Sequence, residues 1–226
     1  MHIEPGVVDG AKIFLSYGTA AAALAATAWL AVRSARSHGA LALAGRSLLA
    51  ALITFCSFEV LPHHPVGVSE VHIILGTTLF LLFGSAAAAI GLALGLLTQG
   101  LFFAPADLPQ YGMNVTTLLV PLFAVGALAR RIIAPHTAYV DLSYAQTLKL
   151  SLAYQGGIVA WVAFWALYGH GLAADNLSSI AAFGGAYLLV VLIEPLVDLA
   201  VLAAAKALHS LRGSRLLEPR LHSAGA

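Results

Sequence analysis

The chemistry this sequence could perform is written mainly in its nine histidines. His2 stands apart. The free amine of Met1, the His2 amide nitrogen and the His2 imidazole can close two small chelate rings around one cation. An ion strong enough to displace the amide proton sits in a near-planar nitrogen field, the preference of Ni²⁺ or Cu²⁺, with Co²⁺ a neighbour in the affinity order. A fourth nitrogen would complete the plane, and the segment 61–76 offers three, His63, His64 and His72. Glu59 and Glu70 are the acids placed to accept a ring N–H and orient an imidazole. Each histidine also has a plainer reading: His2 as an accident of a frayed end, His63 and His64 as residues of a proline-bounded loop, His72 as an interfacial ring. His38, His209 and His222 fall near basic segment ends, and His136 and His170 in turns, where solvated or interfacial roles suffice. Glu194 and Asp198, four apart, share one helix face. They read as a polar packing or interfacial pair, or as the buried acids of a proton-coupled transporter.

Other chemistries find little support. The single Cys56 excludes an internal disulfide and a cysteine-based metal cluster, and leaves the redox compartment open. A net charge of +1 gives no nucleic-acid surface. There is no glycine loop of the Walker type, so the chain reads as no enzyme, with any ATP use belonging to a partner. No resident cofactor is expected.

The elements that must position these groups follow from composition. With 60% hydrophobic and 9% charged residues, the chain cannot clothe a water-facing globule, and lipid must be much of its solvent. Backbone groups in a bilayer must pair internally, and long apolar runs without alternation do so as helices. The expectation is an all-α, polytopic helical bundle with lipid around it. Apolar segments fall at 13–32, 45–61, 72–84, 86–103, 113–129, 147–168 and 179–205, giving about seven transmembrane helices. The stretch 72–103 would make a single rod of roughly 48 Å, longer than the ~30 Å hydrocarbon core. Arg33, Arg36 and Arg46, then Arg130 and Arg131, then Lys206, Arg212 and Arg215 form three basic clusters that belong in the cytoplasm. An even number of crossings between Arg46 and Arg130 requires a break near Gly84-Ser85, and the same parity puts Met1 outside. Dense small residues, as in Gly84-Ser85-Ala86-Ala87-Ala88-Ala89, allow close helix packing. The start lacks a signal-peptide pattern, so Met1 reads as the retained first residue. Residues 1–210 form one transmembrane domain and 211–226 a short cytoplasmic tail of little structure.

Met1-His2-Ile3 followed by Glu4 and Gly6, together with Gly67-x-Ser69-x-x-His72 leading into a small-residue helix, resembles the CbiM/NikM family. These are the substrate-capture membrane subunits of cobalt and nickel energy-coupling factor (ECF) transporters, and the resemblance covers most of the chain. It implies that the amino terminus folds back into the bundle. It implies a metal held by the Met1 amine, the His2 amide and imidazole nitrogens, and a histidine after the loop, His72. The loop spacing differs by one residue from the usual pattern, which keeps His64, and behind it His63, as alternatives. Gly112-Met113-Asn114 looks like the family's glycine-and-asparagine motif, making Asn114 a support for the terminus, alongside Ser69 and Glu70. The resemblance further implies Ni²⁺ or Co²⁺ uptake across the cytoplasmic (inner) membrane, with a transmembrane coupling subunit, ATPase subunits and a possible small extra membrane subunit as partners. A metal-independent scaffold or assembly subunit and a haem-binding membrane protein are the competing readings.

Overall fold

Long apolar runs with few breakers become six long helices, and the breakers mark their ends. The computed structural model describes residues 2–208 and 214–222. In chain order it contains α1 (Ile13–His38), α2 (Ala40–Glu59), a hairpin of β1 (His64–Val66) and β2 (Ser69–Val71), α3 (Gly76–Phe102), α4 (Tyr111–Ile132), α5 (Tyr144–His170) and α6 (Ala174–Ala207). Gly39 at φ 88° separates α1 from α2. A capping box starts α5, where Ser143 Oγ accepts the Gln146 N–H and Gln146 Oε1 accepts the Ser143 N–H. All six helices are long and apolar enough to cross a membrane. α3 and α4 lie at the centre, whereas α6 turns Leu188, Leu189, Leu192 and Leu196 outward, the face a helix gives to lipid.

The stretch 76–102, which the sequence divides near Gly84-Ser85, is two helical halves with one break between them. Gly84 has φ 81° and ψ 162°, far from helical values and in a region open to glycine alone at little cost. The break divides two sets of neighbours. Before it, Ile74 N–H donates to Glu194 and Thr78 Oγ1 to Asp198, so rising numbers on this half match rising numbers on α6. After it, Gly91 packs on Ala50 and Gly95 on Thr54, and Gln99 Nε2 reaches Glu59 at 3.5 Å, matching rising numbers on α2. The first half, 76–83, is only ~12 Å long, too short to span a hydrocarbon core by itself.

The tail departs from the expectation of little structure. Within 214–222, Glu218 N–H donates to Leu82 O at 2.7 Å, and the Glu218 carboxylate takes the Arg46 guanidinium at 2.8 Å beside Gly84. Arg220 lies over the Tyr139 ring and donates to Thr137 O, and Leu221 is buried. The physical cause is Arg46. A guanidinium 1% exposed inside an apolar bundle needs an acid, and the tail brings one.

Candidate metal site

The terminal segment enters the protein as an extra extended strand. Ile3 pairs antiparallel with Ser69 on β2. Glu70 N–H and Ser69 Oγ both donate to the His2 carbonyl at 2.8 Å, and Glu4 N–H donates to Val68 O at 3.1 Å. On the other side Ile3 N–H donates to Asn114 Oδ1 at 2.8 Å, from the first turn of α4. Ile3 is fully buried, and Val7 and Val8 with it. His170 Nε2 lies 3.0 Å from Gly6 O, so this ring ties down the terminal segment instead of merely filling a turn. The buried backbone groups of this segment are paired, with hairpin, Asn114 and terminus satisfying one another.

This strand sets His2, 2% exposed, beside His72, 1% exposed, with ring centroids 5.3 Å apart. His72 lies between β2 and α3, in the extended residues 72–75, and the helix begins only at Gly76. His72 Nε2 is 2.8 Å from Glu70 Oε2, and His2 Nδ1 is 2.5 Å from Asp107 Oδ2 and 3.6 Å from Glu70 Oε2. Carboxylates only accept, so those two nitrogens carry the ring protons. The lone pairs then fall on His2 Nε2 and His72 Nδ1, both buried and without a hydrogen-bond partner among the described residues. Burial lowers the pKa of His2, with the positive amino terminus acting in the same direction and Asp107 and Glu70 opposing. Burial also lowers His72 well below its ordinary value, reinforced by the amino terminus, His2 and His63. Both rings are therefore neutral near pH 7, the form that ligates metal. Glu4 is shifted upward, first by burial and then by Glu70 and Asp107.

His2, Glu70 and His72 each offer a ligating atom within 4.8 Å of the other two. Metal–ligand bonds of about 2.0–2.2 Å place two ligands of one ion at most ~4.4 Å apart, so the three groups must draw together to hold a cation. Met1 lies outside the described residues, as does His209. His64 is exposed and stands outside this group. His63 stacks on the outer face of His72, centroids 5.0 Å apart and planes 12° from parallel. Glu59 interacts with Gln99 rather than with a histidine.

Two residues close the site that sequence reasoning did not single out. Phe58 is fully buried and packs on both rings, 6.2 Å from His2 and 5.2 Å from His72. Asp107 sits on a 3-10 turn, Pro105–Gln110, between α3 and α4. One signal pointed to it: it is the sole acidic residue between Glu70 and Asp141, and it is flanked by prolines outside any apolar run.

Residues 2–210 match the family model CbiM, described as the cobalt uptake substrate-specific transmembrane region. A crystal structure described as that of a truncated transition metal transporter superposes with a TM-score of 0.66 at 17% identity, covering 92% of this chain and 97% of that one. At that identity the likeness speaks for the fold. No curated protein matches the sequence.

Proposed function

The chain belongs to the CbiM family of cobalt-uptake transmembrane proteins, and from that premise we propose that it captures Ni²⁺ or Co²⁺ for an ATP-driven ECF transporter. In this reading the ion is held by the Met1 amine, the His2 amide and Nδ1 nitrogens, and His72. Asn114 and Ser69 hold the strand, and Glu70 orients His72. The observation that carries it is the pattern of hydrogen bonds at the terminus. The His2 carbonyl accepts twice and the Ile3 amide is clamped to Asn114, while no hydrogen bond among the described residues engages the His2 amide nitrogen. That nitrogen is left beside two buried neutral imidazoles, where a metal strong enough to displace its proton can take it.

Deprotonating the amide removes one of the two positive charges, which lowers the cost of holding the ion in an apolar bundle. Entering from the outer side, the remaining charge gains about 2.3 kcal/mol per 100 mV of inside-negative potential. Release of so tight a chelate takes work, and a coupling subunit with ATP-hydrolysing partners would supply it. A haem would need an open slot between facing rings, whereas His2 and His72 lie 5.3 Å apart against Phe58. A side-chain site of His2, Glu70 and His72 is the second reading, favoured by their mutual approach.

Titration of the purified protein with Ni²⁺ and Co²⁺, against a variant with one alanine added before Met1, separates the two. Tight one-to-one binding lost on extension is the expected result. Equal binding by both forms would move the ion to the side-chain site, and no binding by either would leave a scaffold.

A further inference from the structure

Asp107 occupies the one His2 nitrogen that a terminal chelate cannot do without. The second chelate ring runs through the metal, the His2 amide nitrogen, Cα, Cβ, Cγ and Nδ1. Nε2 lies on the far side of the imidazole and cannot close a ring onto the amide of its own residue. Yet Nδ1 is the atom at 2.5 Å from Asp107 Oδ2, while Nε2 is buried with no partner among the described residues. The ring is therefore held in the orientation and tautomer opposite to the one the chelate needs.

We infer that Asp107 is a latch exchanged for the metal: it holds His2 Nδ1 until an ion takes that nitrogen, and its release frees the turn 105–110. This rests on the terminal chelate proposed above. The proton balance is simple. The Nδ1 proton leaves with Asp107 as first acceptor, Nε2 takes one up so that the imidazole stays neutral, and the amide proton goes to solvent. An ion that ligates imidazole but cannot displace the amide proton forms no chelate ring to offset the lost charge-assisted hydrogen bond. The latch thus disfavours ions that merely visit the histidines.

The turn is suited to report the exchange. It is short, bridges α3 and α4, and carries Asp107 with its side chain 20% exposed. Its other attachments are Leu108 on Gly100, Tyr17 Oη donating to Pro109 O at 3.3 Å, and the buried Gln110 at its end. His2 is the tether that the metal removes, so occupancy at the buried site is passed to the protein surface.

Hydrogen exchange of the amides in 106–111, measured on the full-length protein with and without Ni²⁺, tests this. Exchange is expected to quicken on metal addition, by about tenfold for loss of one charge-assisted hydrogen bond. In Asp107→Ala, which leaves His2 Nδ1 no acceptor at this position, it is expected to be fast from the start and indifferent to Ni²⁺. Unchanged or slowed exchange in the wild type on Ni²⁺ binding would overturn the latch, since Asp107 would then be retained as an orienting or ligating group. The alanine-extended terminus tells the two failures apart. If it binds Ni²⁺ as the native protein does, the chelate itself is wrong; if it does not, and the turn still fails to loosen in the native protein, only the latch is.

Discussion

Replacing Asn114 by alanine removes the acceptor for the Ile3 N–H, leaving that donor buried and unpaired. Such a loss costs about 1–3 kcal/mol, and the hairpin cannot repair it, because β2 already bonds the other edge of the terminal strand. The cost falls on the inserted position of the terminus, where the nitrogens of the proposed chelate would be brought to His72. At 1.4 kcal/mol per tenfold, insertion is disfavoured by roughly 5- to 150-fold. Apparent affinity is intrinsic affinity multiplied by the inserted fraction, so this range is an upper bound, reached once insertion is no longer strongly favoured. Calorimetry of Co²⁺ binding in detergent, with a competing chelator, reads it directly. Asn114→Asp keeps an acceptor at the same place and is expected to bind better than Asn114→Ala. Ser69→Ala is milder still, since Glu70 N–H continues to hold the His2 carbonyl. An Asn114→Ala protein that binds Co²⁺ within twofold of wild type would refute the clamp, as would an Asp variant that is equally weak.

Acid sensitivity follows from the buried rings. His2 and His72 are held below the ordinary histidine value of 6.5, so as pH falls through 6.5 the unfolded chain takes up protons that the folded chain does not. Their contribution to stability is present above 6.5 and lost below it. The thermal midpoint should fall between about pH 7.5 and pH 5.5, and less steeply in His72→Gln; a flat wild-type profile would contradict the burial argument. Glu218→Ala strips Arg46 of its carboxylate. Breaking a fully buried pair costs ~3–5 kcal/mol; here about 1–3 kcal/mol is expected, because Glu218 is partly exposed and Arg46 keeps its carbonyl contacts to Phe83 and Ala42. Denaturation should show the loss with metal affinity intact, and an unchanged midpoint would mean that the tail is not part of the fold.

The sequence carried the helices because a lipid-solvated backbone leaves few alternatives, and it carried the break at Gly84 because length and charge parity together forbade one straight rod. His2, Glu70 and His72 were visible as polar groups near the ends of apolar runs, whereas Ser69 and Asn114 stood out only through the family resemblance. Asp107 showed only as a lone acid between prolines, because what makes it matter is contact with a ring 105 residues away, which no local pattern encodes. The tail escaped for a similar reason. Residues 214–222 have little helical or strand character, and their order comes from Arg46, which itself reads as a loop-flanking charge until it is found buried.

Glu194 and Asp198 show how such a site can be stable inside a membrane. The extended residues that carry His72 leave backbone donors unpaired ahead of α3, in a region where an unpaired N–H is costly. Glu194 accepts from Ile74 N–H and from Gln155 Nε2 at 2.5 Å, and Asp198 accepts from Thr78 Oγ1. Tyr187 Oη donates in turn to Gln155 Oε1 at 2.6 Å. Two acids one helical turn apart on α6 thereby cap the start of α3, and the cap fixes where His72 stands. The pair reads as packing on its own helix, but its partners lie on the segment that carries His72 and on the start of α3. A displacement of α6 along its axis would therefore carry the residues behind His72 with it.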